Sequence, residues 1–351
     1  MPYPMLESLL ENPLQAKNLK PRDILIKPNT LLYGGVKAGK SSLALLNAAN
    51  YKRPMFVDCT DERLNLAELF KALPLFCQDK SVDLLILKHP TPPMPPLNTP
   101  TILIQSTPQT PPKGFKTQAI LPLSFAEFVR FHKKEPETLL ARFLKEGNLP
   151  ELLFCLPNEI ALKKQALYAL AFKDKAPLFK ALLPYQARSL STHHLYTQLK
   201  KSLKISKDHL YAFIAFLQAS HTLLSLASFK ATRPKLYFYD FSLPYAFSYT
   251  HPLPPVFENM LALELIRHFG VTQISCHYNA FLVAEKYLCI PSPFPTPEQL
   301  EHALPLLLKG MPSPLHVWVI TINTTLKGTC GKQAWQACPF THFCLQVLPA
   351  L

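Results

Sequence analysis

Glycine is scarce in this chain, with nine residues in 351. A chain so poor in glycine has few places where the backbone can turn through the left-handed region or lie close against a ligand. Three of the nine, Gly34, Gly35 and Gly39, stand within six residues of one another. Acidic residues are also few: 23 Asp and Glu face 37 Lys and Arg, giving a formal net charge of +14 and a pI near 9.3. That balance suits nucleic acid, an anionic membrane surface or an acidic partner. The lysines are dispersed and form no long run, so a solvated basic surface fits equally well. The N-terminus, Met1-Pro2-Tyr3-Pro4, lacks a basic segment followed by an apolar core, so no secretory signal is expected. The eight cysteines are scattered. Disulfides are therefore not expected, and a reducing cytoplasm is the expected location. The most apolar long window, residues 209–229, is broken by Gln218 and His221. It reads as a buried helix plus a strand, not a membrane span. No internal repeat is visible.

Against this background one segment stands out. Gly34-Gly35-Val36-Lys37-Ala38-Gly39-Lys40-Ser41 fits G-x-x-x-x-G-K-[ST], the phosphate-cradling P-loop or Walker A motif. The apolar run Leu31-Leu32-Tyr33 leads in as a strand, and Ser42-Leu43-Ala44-Leu45-Leu46 leads out as a helix. In that order, loop amides and the helix N-terminus together surround phosphates with positive partial charge. Lys40 would neutralise the β- and γ-phosphates, Ser41 would hold Mg²⁺, and the amides of Gly35 through Ser42 would form the cradle. A guanine-reading Asn-Lys-x-Asp motif is absent, which favours ATP over GTP.

The rest of the chain falls into three expected parts. Residues 1–150 form an α/β domain with strands at 30–33, 55–57, 84–87, 102–104 and 119–121, and helices at 64–75 and 125–131. Such alternation predicts a parallel sheet with helices on both faces, with the ligand at the carboxyl ends of the strands. Proline is abundant, 36 residues, roughly twice the usual frequency. The runs from Pro90 to Pro96 and from Pro108 to Pro112 predict rigid loops around the strand at 102–104. Residues 151–232 are mainly helical. Ser191 and Ser206 are candidate caps of two successive helices, followed by strands near 223–229 and 235–239, the pattern of a winged helix-turn-helix. Residues 233–351 read as a small mixed α/β domain, with a helix at 257–268 and strands at 280–284, 287–290 and 317–320.

Several runs then line up in order: the glycine loop; Phe56-Val57-Asp58-Cys59-Thr60-Asp61-Glu62-Arg63-Leu64; Ile102-Leu103-Ile104-Gln105-Ser106; Leu121-Pro122-Leu123-Ser124-Phe125-Ala126-Glu127-Phe128; Gly147-Asn148-Leu149-Pro150-Glu151; Pro234-Lys235-Leu236-Tyr237-Phe238-Tyr239-Asp240; and Phe257-Glu258-Asn259. Over roughly residues 20–290 the chain resembles prokaryotic AAA-type ATPases with a winged helix and a C-terminal domain of restriction-endonuclease-like fold. The resemblance implies an Asp-Glu pair at the end of the strand at 84–87, to hold Mg²⁺ and orient water. Lys88 and His89 stand there instead. Asp83 lies at the other end of that strand, about 13 Å away by strand rise. Asp58 ends a neighbouring strand and is the candidate substitute, or else a cap for the following turn. Gln105 or Ser106 takes the place of the family's γ-phosphate-sensing residue. Lys113-Gly114-Phe115-Lys116 stands where an arginine is frequent, so a charge persists without the guanidinium fork. A nuclease site needs acids and a lysine around a metal, but Asn279-Ala280-Phe281-Leu282-Val283 and Cys289-Ile290-Pro291-Ser292 are apolar. Glu285 and Lys286 read as adjacent strand residues on opposite faces.

Two further clusters are candidates. Cys330, Cys338, His342 and Cys344 carry zinc-binding side chains without the usual paired spacing. Lys200, Lys201, Lys204 and Lys207 surround the second helix of the helix pair and would contact a DNA backbone or simply solvent. Neighbouring His193 and His194 cannot share a metal, because adjacent helical positions do not face each other. The expected protein is an ATP-binding, AAA-type switch or interaction module with a degraded hydrolytic site and an unknown protein partner. The alternatives are an active ATPase using Asp58, or Asp61 and Glu62, and a DNA-binding protein tuned by nucleotide.

Overall fold

The computed structural model describes residues 4–11, 19–91, 94–108, 110–230, 233–312 and 315–351. Met1-Pro2-Tyr3 of the expected leaderless start, Pro92 and Pro93 of the first proline loop and Gln109 of the second lie outside the described residues. The backbone gathers into two compact units, residues 1–122 with 219–221, and residues 123–218 with 222–351.

The first unit is built on apolar runs too short to be helices. Strands β1 (Thr30–Tyr33), β2 (Pro54–Asp58), β3 (Leu84–Lys88), β4 (Thr101–Ile104) and β5 (Lys116–Ala119) form one sheet in the order β2-β3-β4-β1-β5. Every pairing is parallel. β3 and β4 are apolar at nearly every position because both faces of a parallel sheet are covered. On one face Leu31, Val57, Leu85, Leu87 and Leu103 pack with Leu69, Leu73 and Phe76 of α3 (Leu66–Asp79) and Leu6 of α1 (Pro4–Glu11). Helix α2 (Lys40–Ala48) packs against β3 and β4. Asn65 caps α3 by accepting from the Glu68 amide. The last strand differs from the sequence expectation at 119–121. It lies at the sheet edge as Lys-Thr-Gln-Ala, exposed at its first two positions, and an edge strand needs no continuous apolar run.

The second unit starts at residue 123, earlier than the expected boundary at 150/151, because its first helices belong to its own core. These are α4 (Phe125–His132) and α5 (Pro136–Glu146). Phe125 packs on Phe143 and Phe340, and Phe143 packs on Phe241. The Pro-Leu-Ser-Phe-x-Glu-Phe run has a local purpose here. Ser124 and Glu127 form a reciprocal capping box at the start of α4. Helices α6 (Ile160–Phe172), α7 (Ala176–Leu182), α8 (Thr192–Leu199) and α9 (Lys207–Ala219) follow. Ser191 caps α8 through the His194 amide, and Ser206 accepts from the His209 amide at the start of α9.

An antiparallel pair, β6 (Leu223–Leu226) and β7 (Lys235–Phe238), comes next and spans the expected boundary at 232/233. The shorter extent of β6 follows from the bridge that Ser228 makes to Cys276 instead. After α10 (Leu243–Phe247), the long helix α11 (Leu253–Phe269) is buried from Val256 to Ile266. It packs on a mixed sheet ordered β12-β13-β11-β10-β9-β8. Its strands are β8 (Ile274–His277), β9 (Ala280–Val283), β10 (Tyr287–Pro291), β11 (His316–Thr321), β12 (Leu326–Cys330) and β13 (Gln333–Pro339). Helix α12 (Pro297–Leu308) connects the parallel pair β10 and β11. Glu285 and Lys286 are not strand residues on opposite faces. They lie in the β9–β10 turn, where Ala284 and Glu285 both have positive φ.

Candidate phosphate-binding site

The glycine loop joins the carboxyl end of β1 to the N-terminus of α2, in the interior of the sheet. Its backbone favours glycine at two of the three glycine positions, Gly34 and Gly39. Gly34 has φ +146°, and a Cβ there would lie 2.4 Å from the Ile120 carbonyl oxygen. Gly39 stands at φ 99° directly before α2. Lys37 also takes a left-handed conformation, φ 59°, an unusual choice for a residue with a Cβ. The Gly34 amide donates to the Ser106 carbonyl at 3.4 Å, which ties the loop to the end of β4.

Lys40 folds back over this loop. Its Nζ donates to the carbonyls of Gly34 at 2.7 Å and Gly35 at 2.8 Å. Burial first, and then the charge of Lys88, pull the Lys40 ammonium down to about 8. A cation held on backbone carbonyls near neutrality is poised to exchange those weak acceptors for an anion.

Across the sheet the expected acids are absent and cations occupy their place. Lys88 ends β3 opposite Asp58 at the end of β2. Its Nζ donates to Asp58 Oδ2 at 2.7 Å, with both side chains about one-third exposed. Asp58 Oδ1 accepts from the Thr60 amide and the Thr60 hydroxyl. Burial raises the Asp58 carboxyl, and the Lys88 and Thr60 hydrogen bonds outweigh it, leaving the group below its usual range. Burial, then the Lys88 charge, lowers the His89 imidazole, with Asp58 opposing and Lys40 adding. Asp83 points away from this cluster and accepts from the Lys52 and Arg53 amides at 2.7 and 2.9 Å. Asp61 is held by its neighbour Arg63, which brings its carboxyl to about 2, and Glu62 is exposed.

Gln105 follows β4 and is buried. Its amide Nε2 donates to the Pro90 carbonyl at 3.1 Å, so it anchors the segment after Lys88 and His89. A residue missed in the sequence reading is Arg22. Its guanidinium donates to the carbonyls of Ala38, Leu121 and Pro122 at 2.8–3.0 Å. It clamps the glycine loop to the chain beyond β5. Nothing adjacent to Arg22 in sequence signals this, since the contacts reach up to 100 residues along the chain.

The other candidates behave differently. Among the described residues, no three His, Cys, Asp or Glu side chains group as a metal site. Cys330, Cys338, His342 and Cys344 therefore do not assemble as zinc ligands. Cys338 and Cys344 are buried, and burial raises both thiols. Lys200, Lys201, Lys204 and Lys207 are all exposed. Lys200 lies over the Tyr196 ring and Lys207 over Tyr211. Among the described residues no helix is long and apolar enough to cross a membrane.

The motifs that carry the resemblance in the second unit are buried scaffolding. Lys235 and Tyr237 both donate to Glu258 Oε1. Asn259 pairs with both the amide and the carbonyl of Phe238. No protein-family model matches the chain, and no curated protein matches it.

Proposed function

We propose that the first unit is an ATP-binding module of AAA type whose occupancy is read by a partner, with little or no hydrolysis. The observation that supports this reading is the glycine loop itself, seated between an interior parallel strand and a helix N-terminus with Lys40 folded onto it. ATP would be held by the amides from Gly35 to Ser42 and by Lys40, which leaves the Gly34 and Gly35 carbonyls to reach the β- and γ-phosphates. Weak hydrolysis follows from the electrostatics. Asp58 is neutralised by Lys88, Asp83 is bonded to the Lys52 and Arg53 amides, and Asp61 is held by Arg63.

Mg²⁺ fits this donor set poorly. The Ser41 hydroxyl is one oxygen donor. The carboxylate that would complete the set is ion-paired, and the adjoining positions are the cationic Lys88 and the imidazole of His89. A hard divalent ion needs oxygen ligands and an anionic surround.

Equilibrium titration with a fluorescent ATP analogue tests the reading. Lys40→Ala is expected to weaken binding about thirtyfold or more, as for loss of one partner in a buried charge pair. Single-turnover measurements on the wild type are expected to show no appreciable hydrolysis. Turnover at an ordinary ATPase rate that Lys40→Ala abolishes would replace this reading with that of an active enzyme.

The protonation of Lys40 adds a pH signature. In the free protein the ammonium titrates at about 8. The protonated form predominates below that pH and is the one that attracts phosphate. Bound anion stabilises the charge and raises the value again. Affinity is expected to be flat below pH 7 and to fall progressively above pH 8, with proton uptake on binding. Titration calorimetry at pH 8.5 in buffers of different ionisation enthalpy reads that uptake directly. No difference between buffers would remove Lys40 from the phosphate contact.

A further inference from the structure

The proposed site has the wrong charges for a metal and the right ones for a bare polyphosphate. The register places Lys88 beside Ile104, and Ile104 beside Leu32, two residues before Gly34. The end of β3 is thus level with the start of the glycine loop, one strand away. Lys88 is partly exposed and bonded to Asp58, whose other carboxylate oxygen accepts from the Thr60 amide and hydroxyl. It is near enough to Lys40 to disfavour that ammonium's charge. Two lysines that repel each other are stabilised jointly by an anion that reaches both.

Resting on the nucleotide reading, we propose that Lys88 takes the place of the metal ion, so that the site binds metal-free ATP in preference to its Mg²⁺ complex. In this arrangement Lys40 and Lys88 both donate to the phosphate oxygens, Lys88 through ammonium hydrogens that its bond to Asp58 leaves over, so Asp58 stays paired. Metal-free ATP offers two more negative charges than the Mg²⁺ complex and leaves its terminal oxygens uncovered for these donors. Mg²⁺ therefore acts as a competitor that withdraws ligand, not as a cofactor.

The test is titration calorimetry of ATP into the full-length protein, in EDTA and in excess MgCl₂, with NaCl added to equalise ionic strength. Binding is expected to be at least about tenfold weaker in Mg²⁺. Lys88→Met, with its melting temperature checked against wild type, is expected to lose roughly ten- to a hundredfold affinity in EDTA and to lose the Mg²⁺ penalty. Lys88→Gln serves if the methionine variant does not fold. Equal or tighter wild-type binding in Mg²⁺, or a Lys88 variant that binds as wild type in EDTA, overturns the inference and leaves the nucleotide reading standing. No ATP binding in either condition overturns both.

Discussion

Lys164→Met is expected to destabilise the second unit by about 3–5 kcal/mol. Lys164 of α6 and Asp240, two residues after β7, are sealed from solvent, 1% and 0% exposed. The Lys164 ammonium donates to Asp240 Oδ2 at 2.6 Å and to the Ser242 hydroxyl. Asp240 Oδ1 also accepts from the Ser242 amide and hydroxyl. Burial lowers the Lys164 ammonium and Asp240 opposes that, so each charge is tolerated only beside the other. Removing the cation leaves a carboxylate in a dry site with two neutral donors. Replacing both, as Lys164→Met with Asp240→Leu, is expected to recover most of the loss, because the desolvation cost of the pair disappears with it. The readout is built in. The only two tryptophans, Trp318 and Trp335, both belong to the second unit, so their fluorescence during urea unfolding follows that unit. A single-variant cost below about 1 kcal/mol would show that water reaches the pair. Gly147 rests on the same group: a Cβ there would approach Ser242 Oγ, Asp240 Oδ1 and Lys164 Nζ within 2.7 Å.

Gly34→Ala is expected to reduce ATP-analogue affinity by roughly a hundredfold or more while leaving the tryptophan unfolding curve of the second unit unchanged. The added methyl meets a backbone oxygen at 2.4 Å, which no rotamer change can relieve. A φ of +146° is itself closed to alanine. Strain of about 1–3 kcal/mol from the backbone alone is joined by displacement of the loop from Ile120. Both the Ser106 contact and the carbonyl seat of Lys40 start at this residue. A loop moved by even 1 Å no longer presents its amides to one phosphate position. Retention of wild-type affinity in this variant would mean that ligand is held elsewhere.

Much of the first unit is legible in the sequence because a buried parallel strand must be apolar throughout. Leu84 to Leu87 and Thr101 to Ile104 are strands of that kind. The edge strand β5 is not, since solvent on its exposed side permits Lys-Thr-Gln-Ala. β12 and β13 escaped for the same reason, with every second residue exposed over most of their length. α12 was hidden by Pro297 and Pro305 within its span. At the candidate site the loop could be read, and so could the absence of acids after Leu87. The Lys88–Asp58 pair could not, because it joins residues 30 positions apart through strand register. Arg22 was invisible for a related reason: it reaches the glycine loop and the chain beyond β5 through backbone carbonyls, which carry no residue identity. The Lys235, Tyr237, Glu258 and Asn259 runs were visible as motifs, but the sequence did not reveal that they serve a buried polar network.

Because β1 sits between β4 and β5, the glycine loop cannot form as the chain leaves the ribosome in order. Thr30 emerges long before its partners Ile102 and Lys116. Until both have appeared, β1 lacks neighbours on either side, and Gly34 has neither the Ser106 carbonyl nor the Ile120 backbone to lie against. Parallel pairing across such separations is slow and comes late. The nascent chain therefore carries its most recognisable motif for most of the synthesis of the first unit with no pocket around it, and the loop takes shape only when that unit closes.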